Sequence, residues 1–209
     1  MEDVLETYKK PYDPLCPVIC LDETSRQLIG EKEMPIQSKP GSPEKYDYEY
    51  VRNGVVDIFM MFEPLAARRY VAVTDSRTRM DFAHRLYDLS ERYYPHAEKI
   101  ILVMDNLNTH SLASLYEAFE PAEARRLAER FEVHYTPKHA SWLDMAEIEI
   151  GVMSRQCLDR RISTKEEMAS QLNAWVHHRN SACVTVNWHF TTSDARIKLK
   201  SLYPKFKAF

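Results

Sequence analysis

Three acidic positions stand out because each closes or sits within an apolar segment. Asp22 ends the run VICL, Asp105 ends ILVM, and Glu147, with Glu149 two residues on, lies in SWLDMAEIEIGVM. A lone carboxylate is by default a solvated surface charge; the shared context is what singles these out. Four apolar residues in a row read as a strand buried on both faces. A carboxylate directly after such a strand stands at the mouth of a sheet, where ligands of open α/β sheets bind. Hard divalent ions such as Mg²⁺ or Mn²⁺ prefer carboxylate oxygens and water. Two of them about 4 Å apart can clamp the attacking and leaving oxygens of an in-line phosphoryl transfer. Three convergent carboxylates suffice for that chemistry.

The elements that must position these groups follow from periodicity. After Asp105, the residues Asn106, Asn108 and Thr109 have turn and cap character, and SLASLYEAF has helical spacing, giving strand, polar loop, helix. Pro121 breaks that helix, AEARRLAER resumes it, and FEVHYT alternates as a short strand. Upstream, Val55–Phe62 and Tyr70–Thr74 are β-branched and aromatic runs that suit an antiparallel pair, and with the first strand they make a three-stranded meander. Phe82, Leu86 and Leu89 then recur at helical spacing. Downstream, Ser141 and Asp144 have capping-box spacing, and Ala146, Ile150, Met153 and Cys157 form one stripe of a helix. Glu147 lies on one flank of that stripe and Glu149 on the other, so only one of them can face a given site. Gly151 and Ser154 leave the flank of Glu147 uncrowded, which favours Glu147. A further helix begins at Ser163 or Thr164, with Glu166 in capping-box position, and buries Met168, Leu172, Trp175 and Val176. Trp188 and Phe190 read as core anchors. Three strands, a helix, a strand, helices, a strand and more helices are the layout of the ribonuclease H-like fold, a mixed five-stranded α/β sheet flanked by helices.

Composition sets limits on the rest. A chain of 209 residues, 44% hydrophobic and 11% aromatic, suffices for one good core. The expected domain spans 17–209, preceded by an arm over 1–16 whose first ten residues could form a short helix before Pro11, Pro14 and Pro17 keep the chain extended. No apolar run approaches the roughly 18 residues of a membrane span, and the opening MEDVLE has no signal-peptide character, so no membrane partner and a cytoplasmic location are expected. A net charge of −3 gives no global attraction to nucleic acid; any such binding must come from local patches. The tail with Arg196, Lys198, Lys200, Lys205 and Lys207 is one candidate, though a solvated surface helix explains it nearly as well. None of the four glycines is placed for a nucleotide-binding loop, and the four cysteines, Cys16 and Cys20 included, fit reduced thiols. The Pro- and Lys-rich stretch from Glu31 to Tyr48 reads as a long loop, either functional or a solvated insertion.

The segments VICLDE, LVMDNLNTH and TPKHASWLDMAEIEIGVMSRQCLDRR together resemble the three motifs of DDE transposases of the mariner superfamily, in its bacterial insertion-sequence branch, over about Cys16 to Pro204. The resemblance implies Asp22, Asp105 and Glu147 as the first, second and third metal ligands for two Mg²⁺ or Mn²⁺ ions. The last two are 42 positions apart (147 − 105). It implies hydrolysis of a phosphodiester at the element's end and attack of the freed 3′-hydroxyl on target DNA at TA, with no covalent protein intermediate. The partners it implies are double-stranded DNA and either a second copy or a chain carrying helix-turn-helix modules, with the chain on the nucleoid. Lys138, His139 and His110 are placed to orient phosphate or water. Two departures matter. Relatives carry Asn where this chain has Asp144, an extra carboxylate that either caps the helix or perturbs the metal site. Full-length relatives also begin with helix-turn-helix domains, and nothing of that kind precedes Asp22, so the resemblance is to the catalytic half. Rival expectations are a truncated, non-catalytic copy that inhibits full-length transposase, and a structure-specific ribonuclease H-like nuclease such as a repair resolvase.

Overall fold

The computed structural model describes residues 1–203 apart from Pro35, Glu44, Tyr46 and His139. Its strands are β1 (Val18–Glu31), β2 (Tyr50–Glu63), β3 (Arg68–Thr74), β4 (Ile100–Met104) and β5 (Phe131–Tyr135). They form one five-stranded sheet in the order β3-β2-β1-β4-β5. β1 runs antiparallel to β2 and parallel to β4, and β4 is parallel to β5, so the sheet is mixed, as the sequence predicts. The parallel steps need crossovers. Helix α2 (Arg79–Tyr87) with a π-helical continuation over Asp88–Tyr93 leads into β4, and α3 (Leu115–Ala118) with α4 (Pro121–Ala128) carries the chain on to β5. The last helices are α5 (Met145–Gln156), α6 (Lys165–Ser181) and α7 (Thr192–Lys198).

Strand alternation divides the core in two. Val18, Cys20, Ile58, Met60, Phe62, Ile101 and Val103 pack toward α5 and α6, through Ala146, Ile150, Met153, Met168, Leu172 and Trp175. Ile19, Leu21, Met61, Leu102 and Met104 pack on the opposite face against Phe82, Leu86 and Leu127. β4 is covered on both sides, which is why it reads IILVM without alternation.

Three differences from the sequence reading concern extent. β1 continues ten residues past Leu21 and β2 starts at Tyr50, five before Val55, because their outer halves pair with each other as a ribbon. The near end of β2 is exposed on both faces, so no alternation marks it. The arm over 1–16 does open with a short helix, α1 (Glu2–Thr7), as its first ten residues allow, but it is packed and not free, with Val4 and Leu5 buried in the α5-side core. Of the long loop, the described part closes on itself through the bridges Ile36 to Lys45 and Lys39 to Ser42. Among the described residues no helix is long and apolar enough to cross a membrane.

Candidate active site

The parallel register of β1 and β4 does the first positioning. Its last pair is Leu21 with Met104, so the next step along both strands sets Asp22 beside Asp105. Cys20 and Val103, two residues before each, point into the α5-side core, and alternation turns Asp22 to that same side. Asp22 is half-buried. Burial, foremost, and the charges of Glu23 and Asp105 push its carboxyl up to about 7, although the Glu23 N–H donates to Oδ1 at 2.8 Å and His110 lies nearby.

Glu23 alternates to the opposite face and is paired with His110. The imidazole is 1% exposed, stacks on Phe82 at 4.9 Å, and bridges two carboxylates: Nδ1 lies 2.5 Å from Asp105 Oδ1 and Nε2 lies 2.7 Å from Glu23 Oε2. The contact to Glu23 is a close ion pair without hydrogen-bond alignment. Burial alone would lower the pKa of His110, but the two carboxylates outweigh it and push it up to about 10, so the ring is an imidazolium. The His110 N–H in turn holds Asp105 below the usual carboxylate range, with the Leu107 N–H adding a bond at 3.2 Å. His110, expected to orient phosphate or water, is instead enclosed between Asp105 and Glu23, where it fixes the orientation and charge of Asp105. Arg77 stands 3.6 Å from Glu23 on the other side.

Helix α5 supplies the third group. A 3₁₀ turn over Ser141–Leu143 precedes it, so Asp144 and not Ser141 is its N-cap, with Oδ1 accepting the Ala146 N–H at 2.8 Å. Glu147 lies in the first turn and is exposed. Glu149 is 0% exposed and consumed by two guanidinium groups: Arg69 Nε donates at 2.5 Å, Arg179 Nε at 2.7 Å and Arg179 Nη2 at 3.2 Å. Arg69 also donates from Nη1 to the Ala67 carbonyl at 3.0 Å and lies over the Phe62 ring, and Asn180 holds its backbone at both ends. Glu149 therefore ties β3, α5 and α6 together, which leaves Glu147 as the glutamate of this helix open to a ligand.

Burial first, then the charges of Asp22, Asp105 and Glu147, hold the Asp144 carboxyl well above the usual range, against the Ala146 cap bond. The donor set is all oxygen and rich in negative charge, which fits a hard divalent ion and not a thiolate-loving one. Among the described residues no three His, Cys, Asp or Glu side chains converge closely enough to cage an ion as they stand.

Among the remaining sequence candidates no contact with these carboxylates is seen within the described residues. Lys138 is exposed on the turn between β5 and α5, whereas His139 falls outside the described residues. Arg196 is tied to Glu2 of α1 by two bonds at 2.8 and 2.7 Å, Lys198 sits 3.8 Å from Asp194, Lys200 is exposed, and Lys205 and Lys207 are not among the described residues. Sequence reasoning does not single out Glu23, Arg69, Arg77 or Arg179. For Glu23 the signal was present in strand alternation. The two arginines stand 80 and 30 positions from Glu149, with no local spacing to reveal them.

A five-stranded mixed sheet with one carboxylate within the central strand β1, where its pairing with β4 ends, a second just after β4, and a glutamate-bearing helix packed on the sheet, is a ribonuclease H-like core. Residues 17–169 match the family model described as DDE superfamily endonuclease, and the chain belongs to that family. Its fold is similar to the Mos1 mariner paired-end complex with Mn, at TM-score 0.55 and 15% identity over 86% of this chain, and to the Mos1 strand transfer complex, at 0.56 and 14% over 86%. This chain covers 57% and 56% of the length of those two chains. Among curated proteins none matches.

Proposed function

We propose that this chain is the catalytic domain of a DNA transposase of the bacterial insertion-sequence branch, cleaving DNA strands and joining the freed end to a target. The single observation that carries this reading is the β1/β4 register: it sets Asp22 beside Asp105 on the face toward α5, where Glu147 is the open glutamate and Glu149 is committed to Arg69 and Arg179. Asp22, Asp105 and Glu147 would hold two Mg²⁺ or Mn²⁺ ions. When bound, such ions neutralise charge at the phosphorus and lower the pKa of the attacking water.

The chain's own groups prepare that site. His110 keeps Asp105 ionised and in one orientation, so an acceptor is in place before any substrate arrives. The half-buried Asp22, its carboxyl pushed up to about 7 by burial, would hold a cation in its deprotonated form. Glu147 is carried on the first turn of α5, where the helix N-terminus favours its anionic form. The buried Arg69–Glu149–Arg179 group joins α5 to β3 and α6 and leaves Glu147 outside that network. The partner in this reading is double-stranded DNA, at element ends and at a TA target, acting on the nucleoid in the cytoplasm. With a net charge of −3, end recognition falls to a second copy or to a chain carrying helix-turn-helix modules.

Nicking of a supercoiled plasmid in Mn²⁺ tests the assignment. Asp105→Asn should abolish nicking in a chain that circular dichroism at 20 °C shows to be still folded, and retained nicking would contradict the assignment. A wild-type chain that binds neither Mn²⁺ nor DNA, yet co-purifies with a full-length transposase, would favour an inhibitory role.

A further inference from the structure

Asp144 is a carboxylate whose second oxygen has no assigned role. It is 1% exposed; Oδ1 is used by the Ala146 N–H, and Oδ2 is buried without a hydrogen-bond partner. The helix cap does not account for that second oxygen. Asparagine caps a helix as well as aspartate does, and an orphaned buried acceptor is costly. The charged groups acting on Asp144 are Asp22 of β1, Asp105 after β4 and Glu147 one helical turn on, all negative. On its remaining side lie the Tyr8 hydroxyl and the Cys20 thiol. Tyr8 is occupied, donating to the Leu143 carbonyl at 2.6 Å. Among the described residues no Lys, Arg or His forms an ion pair with Asp144. Asp144 is thus a buried acid without an ion-pair partner among the described residues, and the cap and first-turn positions of one helix put it on the same side as Glu147.

We propose that Asp144 is a fourth acidic member of the cation site, its free Oδ2 contributing to the binding of a divalent ion alongside Asp22, Asp105 and Glu147. This rests on the metal-site reading given above. The extra carboxylate makes the site one negative charge richer than an asparagine at this position would. It should therefore bind Mn²⁺ more tightly and be less stable empty.

The test is calorimetric Mn²⁺ titration of the full chain after EDTA treatment, with melting curves with and without Mn²⁺, for wild type, Asp144→Asn and Asp22→Asn. Asp144→Asn should keep or raise the metal-free melting temperature, weaken Mn²⁺ binding about tenfold, and shrink the Mn²⁺-induced rise in melting temperature. Asp144→Ser, which also caps a helix, repeats the measurement if the asparagine amide disturbs folding. Wild-type binding that Asp22→Asn loses and Asp144→Asn and Asp144→Ser keep would overturn the proposal alone. Absence of Mn²⁺ binding by wild type, or binding unchanged in Asp22→Asn, would overturn the underlying reading with it.

Discussion

Glu147 and Glu149 are two residues apart on one helix, and the account gives them opposite duties, which makes their glutamine variants a sharp contrast. Glu149→Gln removes the anion that two buried guanidinium groups share at 2.5, 2.7 and 3.2 Å, in surroundings with 0% exposure for Glu149 and Arg69. Breaking one partner of a buried pair costs about 3–5 kcal/mol, because the remaining charge stays buried without compensation. For a chain of this size each kcal/mol moves the melting temperature by about 2–4 °C, so a drop of roughly 6–20 °C is expected. Glu147 is exposed and, among the described residues, appears in no salt bridge, so Glu147→Gln should stay within about 0.5 kcal/mol of wild type. Activity should divide the other way: at 20 °C, Mn²⁺-dependent plasmid nicking per folded molecule is lost in Glu147→Gln and largely kept in Glu149→Gln. Melting by circular dichroism and a nicking gel decide it. If Glu149→Gln melts within 2 °C of wild type, or Glu147→Gln nicks normally, the division of labour on α5 is wrong.

Other outcomes follow from the same geometry. In EDTA the chain should melt higher at pH 6 than at pH 9. Asp22 has a folded pKa raised to about 7, so stability falls as pH rises from its unfolded value toward 7. His110 is raised to about 10, and its contribution is full below about 6.5 and lost on the way to 10. Asp105 is lowered and so acts only in acid, below this window. Added Mn²⁺ should flatten the slope near pH 7, and a melting temperature that rises from pH 6 to pH 9 in EDTA would contradict the assignment. Thr78 caps α2 in a reciprocal box with Asp81, so Thr78→Ala should cost about 1 kcal/mol in chemical denaturation, with nicking unchanged.

Much of this fold is legible in local sequence because hydrophobic periodicity records burial. ILVM announces a strand covered on both faces, and the stripe Ala146, Ile150, Met153, Cys157 is the buried face of α5. Asp22 and Asp105 could be marked because each closes a buried apolar run, and a carboxylate there has few structural uses, although β1 continues past Asp22 to Glu31. The extent of the outer β1/β2 ribbon was not legible, as a strand exposed on both faces leaves no alternation. Nor was the fate of His110. Its spacing from Asp105 suggests a helper at the site, but only packing of Phe82 and Glu23 around the ring shows that it acts on Asp105 and not on a ligand. Glu147 against Glu149 could be ranked from flank crowding; what decides between them is Arg69 and Arg179, brought in by tertiary structure alone.

The central claim is that Asp22, Asp105 and Glu147 converge on divalent cations. An anomalous difference map from a crystal of this chain soaked in Mn²⁺ tests it without recourse to activity. The account predicts a peak within about 2.0–2.6 Å of carboxylate oxygens of Asp22 and Asp105, with Glu147 turned toward the same ions and Glu149 still held by Arg69 and Arg179. Strong peaks elsewhere with none at this corner would contradict it.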